Sequence, residues 1–363
     1  MGEMLTRRTA ILAAAAGLLA RSTPALAQAR FQAPEVESLT VDILVDAQAF
    51  AFAEPVDRPD LKVTRAPRSF ADYRRTLLSE FGLSLLARTR RGDEARSILV
   101  DFGYTPQALL NNMELMGVDP ATIDAAVLSH GHYDHFGGLD GLLATGRMRR
   151  GAPFYVGGEE AFCARDRLGG LGVPISDFGA LDRSAILAAG LRIVSSPEPQ
   201  VVAGHGFTTG EIPLVTAERP TIPTQMHVGE GCARAGLNPA KRDAGVLPDD
   251  GEHEIGTAFL VKDRGLVVIG SCSHRGILNT IRRAQAVSGV EKLHAVIGGF
   301  HLVSPRTPDE ARATVPALKA LNPDYIVPGH CTGEVFIQEA IAQMPGKVIR
   351  PYVGSRFTFG TRV

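Results

Sequence analysis

Polar and apolar residues alternate from Ser38 to Val45, the period of a strand that buries one face. Leu83 to Ala87 and Ser97 to Asp101 lie on either side of the turn Arg90-Arg91-Gly92-Asp93, so the spacing predicts paired strands and an N-terminal β-sheet. From Pro106 the period becomes helical, with Leu109, Leu110, Met113, Leu115 and Met116 on a helix that stops near Gly117. The run Ile123 to Ser129 then reads as a buried strand that delivers the chain straight into His130. The same punctuation returns at Gly265 to Gly270, Ala295 to Gly299 and Tyr325 to Pro328, each an apolar run ending in a polar cluster. It predicts four strand ends converging along one sheet edge. Helical stretches at 276–286 and 307–321 intervene, which makes the fold class a layered α/β arrangement rather than an all-β sandwich.

Two segments break the pattern. Residues 197–254 are rich in Gly and Pro, hold His205, His227 and His253, and are expected to form a loop insertion over the site, within a single domain spanning 28–363. Residues 1–27 read as an export signal: Arg7-Arg8 precede an apolar stretch to Leu19, and Ala25-Leu26-Ala27 supplies a small-x-small cleavage pattern. The apolar run from Ala10 to Ala20 is shorter than the roughly 20 residues a bilayer core requires, so no membrane span is expected after the signal is removed. The paired arginines resemble the twin-arginine signal of the pathway that exports folded proteins, which gives a bacterial periplasm as the expected address.

Composition narrows the partners. The chain has 363 residues, 45% hydrophobic and 21% charged, enough to bury a substantial core. A formal net charge of −1 without long runs of like charge argues against nucleic acid or anionic lipid and leaves a small molecule as the expected partner. No feature of the chain fixes an oligomeric state. The four cysteines, Cys163, Cys232, Cys272 and Cys331, admit three pairings in an oxidising compartment. Cys163 and Cys232 are expected to be small buried apolar side chains, whereas Cys272 and Cys331 each lie within two residues of a candidate histidine, as ligands or supporting groups.

His130-Gly131-His132-Tyr133-Asp134-His135 packs four potential metal ligands into six residues, and imidazole nitrogen with carboxylate oxygen suits zinc and related divalent ions. A tight loop points alternate side chains at one position and leaves the later pair for a neighbouring one, so one or two ions per chain are expected. The stretch from Ser129 through that motif to Phe136-Gly137-Gly138-Leu139 resembles the signature of the metallo-β-lactamase superfamily. The resemblance implies an αββα sandwich, two mixed β-sheets flanked by helices, with the metals at one edge between the sheets. Val100-Asp101-Phe102-Gly103 resembles the family's strand-end Asp-x-Gly, which would make Asp101 a carboxylate that orients a ligand histidine; an ordinary turn aspartate is the other reading. Three further segments, Gly270-Ser271-Cys272-Ser273-His274-Arg275-Gly276-Ile277, Ile297-Gly298-Gly299-Phe300-His301-Leu302 and Pro328-Gly329-His330-Cys331-Thr332-Gly333, together resemble a branch named for 7,8-dihydropterin-6-methyl-4-(β-D-ribofuranosyl)aminobenzene-5′-phosphate synthase.

Carried over residue by residue, the resemblance implies that His130 and His132 hold a first metal completed by His274, and that Asp134 and His135 hold a second completed by His330. His301 is an additional ligand or a catalytic group that contacts substrate. The family's bridging aspartate is missing at Ser271, so His253 and His274 both remain candidates for the third ligand of the first metal, and Cys272 is a candidate stand-in for the lost carboxylate. The implied chemistry is hydrolysis by a metal-bound hydroxide, with Asp134 as ligand and proton acceptor. The substrates implied are small esters, phosphoesters, lactones and pterin-linked sugar phosphates. Arg275 and the pair Lys241-Arg242 could meet an anionic group, with a solvated surface role the commoner fate of any single Arg or Lys. Three rivals stand beside this reading: a metal-binding or ligand-sensing protein without turnover, an exported β-lactamase, and a di-iron redox protein. The last is disfavoured by His132, where iron-using relatives carry a carboxylate.

Overall fold

The computed structural model describes residues 31–169 and 174–360; the export-signal reading of residues 1–27 lies outside them. The alternation at Ser38–Val45 is a strand of that span, with Leu39, Val41 and Ile43 facing one core and Leu44 another. It pairs antiparallel with Ser84–Arg91 on one side and with Arg356–Gly360 on the other. Ser84–Arg91 turns through Gly92-Asp93 into Glu94–Val100, the hairpin the sequence predicts, and Gly92 takes the left-handed conformation (φ 57°) that a two-residue turn requires.

These strands belong to a nine-stranded sheet in the order Arg192–Ser195, Pro153–Val156, Ala125–Val127, Glu94–Val100, Ser84–Arg91, Ser38–Val45, Arg356–Gly360, Leu61–Thr64 and Val56–Asp57. A seven-stranded sheet runs Val201–Val202, Gly206–Thr208, Thr257–Val261, Gly265–Gly270, Leu293–Gly298 and Tyr325–Pro328, with Glu35–Val36 pairing alongside Thr257–Val261. Both sheets mix parallel and antiparallel pairs. Between them Val41, Ile43, Ile98 and Val127 pack with Phe259, Val267, Ile269, Ile297 and Val327. On the outer face of the nine-stranded sheet Leu99, Ala126 and Phe154 pack with Leu109 and Met113 of helix Pro106–Leu115 and Leu142 of helix Leu139–Ala144. Strands covered on both faces have no exposed side to mark with polar residues, which is why Ala125–Val127 and Gly265–Gly270 are unbroken apolar runs. Helices Ile277–Ser288, Pro308–Ala320 and Glu334–Gln343 follow strands of the seven-stranded sheet and flank it. The architecture is the α/β sandwich of two mixed sheets flanked by helices. Among the described residues no helix is long and apolar enough to cross a membrane.

Three sequence expectations need correction. The four strands that end in polar clusters do not share one sheet edge: Ala125–Val127 lies in the nine-stranded sheet and the other three in the seven-stranded one. Segment 197–254 is not one continuous insertion, because Val201–Val202 and Gly206–Thr208 rejoin the main sheet. A separate four-stranded antiparallel sheet draws Ala164–Arg167 and Ser176–Gly179 from before it and Thr224–His227 and Val246–Pro248 from within it. Cys163 and Cys232 are joined as a disulfide rather than buried singly. The pairing of Ala164 with His227 carries the two cysteines to a Cα separation of 4.5 Å across 69 residues of sequence, a proximity no local pattern encodes.

Candidate metal centre

The polar clusters at the four strand ends meet between the two sheets. Asp101, Ser273, His301 and His330 all take left-handed backbone there, with φ of 58°, 58°, 41° and 47°. Residues with a side chain enter that region at a cost, and four of them around one rim mark a place where the backbone is bent to aim side chains inward.

Asp101 leaves the end of Glu94–Val100 fully buried. Its Oδ1 accepts the Ser129 N–H at 2.8 Å, and its Oδ2 lies 2.8 Å from both Ser129 Oγ and His135 Nδ1. Asp101 therefore holds the His135 ring by its Nδ1. Ser129 Oγ also meets His130 Nδ1 at 2.9 Å, which turns His130 Nε2 into the centre, where it is buried with no hydrogen-bond partner among the described residues. The rings of His130, His132 and His274 lie 4.5 to 4.9 Å apart, centroid to centroid. His274 is held from behind by its Nδ1 at 3.2 Å from Thr221 O, and the Glu254 carboxylate accepts the backbone N–H groups of His274 and Arg275, each at 2.8 Å. His274 Nε2, like that of His130, is buried and unpartnered.

The second group forms beside the first. Asp134 Oδ2 lies 3.5 Å from His135 Nε2 and 3.3 Å from His330 Nε2. Asp46, just past the strand Ser38–Val45, accepts the His330 N–H at 2.9 Å, and Phe81 stacks on the His330 ring at 4.9 Å. Cys272 Sγ, 3.2 Å from His135 Nε2, belongs to both sets: potential ligand atoms of Asp134, His135, Cys272 and His330 lie within 4.8 Å of one another, as do those of His130, Cys272 and His274. The side chain at the junction is thus Cys272, one residue beyond Ser271.

Electrostatics sorts the imidazoles. Burial, together with the neighbouring His135, His132 and His274, holds His130 well below the usual histidine range; burial, His301 and His132 do the same to His274. Both are therefore neutral, the form that coordinates metal. Burial also opposes charge on His135, but Asp134 and Asp101 outweigh it and hold its pKa up at about 10. Burial would raise Asp134, yet His135 and His330 hold it well below the carboxylate range. Burial, with His132, His330 and Arg306, lowers His301 to about 3.

The structure brings His130, His132 and His274 together, and Asp134, His135 and His330 together, with Cys272 between. His301 lies beside His274 at 4.3 Å between ring centroids. His253 is elsewhere. Its Nε2 accepts the Gly131 N–H at 3.0 Å and meets an Arg165 nitrogen at 3.1 Å, so it braces the motif loop from behind and offers no free nitrogen to the first group. Gly131 must be glycine, since a Cβ there would fall 2.5 Å from Ala161 O and 2.6 Å from an Arg165 nitrogen. The basic residues weighed as anion contacts are committed to other partners. Arg275 donates to Ile212 O and Asp250 O, Lys241 is clasped by Glu160, Asp250 and Glu252, and Arg242 donates to Leu237 O.

Sequence reading missed the support of His132. Its Nε2 meets Thr224 Oγ1 at 3.0 Å, Thr224 Oγ1 lies 3.3 Å from Asp249 Oδ2, and Arg165 Nε donates to that oxygen at 2.5 Å. Arg165 and Thr224 lie on strands of the small sheet, Asp249 directly follows one, and none carries a motif; only three-dimensional pairing reveals them. Asp46 had a legible signal, a carboxylate at a strand end like Asp101. Thr224→Val, which removes only the hydroxyl between His132 and Asp249, is expected to weaken metal binding about 10- to 100-fold. A zinc titration against a competing chelator checks this, and an unchanged affinity would show that His132 needs no such support.

A two-sheet sandwich that gathers buried histidines, a carboxylate and a thiol at its strand ends defines a metal-dependent, hydrolase-like protein. Residues 81–231 match the family described as the metallo-beta-lactamase superfamily. The chain is 30% identical over 281 residues to the 7,8-dihydropterin-6-methyl-4-(beta-D-ribofuranosyl)-aminobenzene-5′-phosphate synthase of Methanocaldococcus jannaschii, covering 76% of this chain and 88% of that relative. The chain belongs to the metallo-β-lactamase superfamily. A second protein of the same archaeon, described as uncharacterized, is 27% identical over 241 residues, 66% of this chain and 80% of its own. The crystal structure of a metal-dependent hydrolase of the beta-lactamase superfamily superposes with a TM-score of 0.61 at 24% identity, covering 90% of this chain and 99% of that one, and agrees in fold.

Proposed function

We propose that this protein is a metal-dependent hydrolase of a small substrate, a phosphoester or lactone first and a pterin-linked sugar phosphate by analogy with its synthase relative. The observation that carries this reading is the set of buried imidazole nitrogens with no hydrogen-bond partner among the described residues, Nε2 of His130 and His274 and Nδ1 of His301 and His330, beside the Cys272 thiol. Buried polar atoms without partners are rare in a native fold, and so many in one cluster fit divalent ions, zinc first, one or two per chain. His130, His132 and His274 would hold one ion and Asp134, His330 and His135 a second, the last on giving up the proton that Asp134 and Asp101 favour in the metal-free state, with Cys272 shared. Such ions, when bound, supply an activated water and polarise the substrate oxygen.

The protein's own groups do the rest. Asp134 directs Oδ2 at His135 and His330, which leaves Oδ1 to take the proton of the attacking water. His301, neutral at any physiological pH, contacts the substrate as a hydrogen-bond partner. Arg306 donates through one nitrogen to Arg219 O at 2.7 Å, but its Nε is buried with no partner among the described residues and its charge reaches His301, so it is the guanidinium left to meet an anionic substrate group. Phe81, exposed and stacked on His330, gives the substrate an apolar wall. The export signal read in residues 1–27 makes the periplasm the proposed address, and the Cys163–Cys232 disulfide supports an oxidising compartment.

The test is turnover of a phosphodiester, a lactone and a chromogenic β-lactam by the purified chain, before and after chelation. At least one of the first two is expected to be hydrolysed, with activity abolished by chelator and restored by zinc. Activity indifferent to chelation would overturn the reading. Metal bound without turnover of any substrate would favour a binding protein, and turnover of the β-lactam alone an exported β-lactamase.

A further inference from the structure

The two cysteines outside the disulfide face each other inside the metal centre. Cys272 Sγ and Cys331 Sγ are 3.4 Å apart, Cys331 Sγ lies 3.8 Å from Cys272 O, and both side chains are buried. Their proximity is built by the sheet. Cys272 follows Gly265–Gly270 and Cys331 follows Tyr325–Pro328, strands separated by Leu293–Gly298. The thiols meet across that intervening strand because it ends in Gly298-Gly299; a Cβ on Gly299 would fall 2.7 Å from Cys331 Sγ. Cys272 is also the one side chain common to both candidate ligand sets, so whatever happens to its sulfur is felt by both.

We propose that Cys272 and Cys331 are a disulfide-forming pair within the centre, closed by small disulfides when metal is absent, and that closure bars metal from returning. The chemistry balances as two thiol–disulfide exchanges. One cysteine thiolate attacks a sulfur of the small disulfide and expels one small thiol; the second cysteine thiolate attacks the resulting mixed disulfide and expels the other. Two protein thiols are oxidised, one small disulfide is reduced to two thiols, and no further reactant is needed. The oxidised Cys272 sulfur has no thiolate to offer a metal, whereas a bound metal occupies that sulfur and protects it. The effect on metal rests on the reading of Cys272 as a ligand; formation of the bond does not.

The experiment uses the full chain, stripped by chelation and exposed to glutathione disulfide. Intact mass is expected to fall by about 2 Da with no glutathione adduct. A cross-linked peptide is expected to join residues 272 and 331, and zinc uptake to fall at least about tenfold until a phosphine reductant restores it. Zinc-loaded protein is expected to resist, and Cys331→Ser to take up a glutathione adduct in place of the mass loss. Two thiols left free, two separate adducts, or a 272–331 bond with undiminished zinc uptake would each overturn the proposal. A reduced chain that binds no zinc would instead sink the metal centre itself, leaving the mass change to judge the pairing alone.

Discussion

Replacing His274 by alanine is expected to empty the first metal group and to lower turnover by more than about 100-fold, beyond the 10- to 100-fold that loss of a merely supporting residue costs. His274 presents a neutral, buried Nε2 with no partner among the described residues to the rings of His130 and His132, and Glu254 fixes its backbone in that position. The same substitution at His253 is expected to behave differently. That ring is spent on Gly131 and Arg165, so His253→Ala loosens the motif loop but leaves all first-group nitrogens in place, and metal is retained. Elemental analysis of the two purified variants beside the wild type separates the cases. Full metal in His274→Ala, or equal loss in both, would return the third-ligand role to His253.

Arg165→Ala is expected to destabilise the protein by about 3–5 kcal/mol, the range for breaking a buried ion pair from one side. The Arg165 side chain is fully buried, with Nε on Asp249 Oδ2 at 2.5 Å and its other nitrogens donating to Cys163 O at 2.7 Å and Glu160 O at 2.9 Å. Deleting it strands the Asp249 carboxylate, 1% exposed, and uncovers two buried carbonyls. Arg165→Lys is expected to recover only part of the loss, since a point charge cannot span the three directions of the guanidinium. Chemical denaturation measures both variants, and a loss below about 1 kcal/mol for alanine, typical of surface pairs, would show that Asp249 finds another partner.

Much of this was legible along the chain, for physical reasons. A strand that buries one face must alternate, and a strand that buries both must be continuously apolar; Ser38–Val45 and Gly265–Gly270 display one rule each. Local density of ligand types marked His130 to His135, and strand-end punctuation marked His274, His301 and His330. What sequence left open was whatever depends on non-local pairing. The choice between His253 and His274 turns on which ring faces Gly131. The Cys163–Cys232 bond and the Thr224–Asp249–Arg165 support of His132 depend on how Ala164–Arg167 pairs with Thr224–His227. Charge shows in sequence but its commitment does not: Arg275 and Lys241 are engaged with other partners, while Arg306 drew no notice.

The strand Arg356–Gly360 sits between Ser38–Val45 and Leu61–Thr64, inside the nine-stranded sheet rather than at its edge. During synthesis this leaves a gap in the middle of the sheet until residue 360 has cleared the ribosome. Ser38 waits for a partner, Gly360, that is translated 322 positions later. The nascent chain therefore cannot complete the sandwich in the order in which it is made. Its early strands must be kept from pairing with strangers, and closure belongs to the slow, long-range class of folding events.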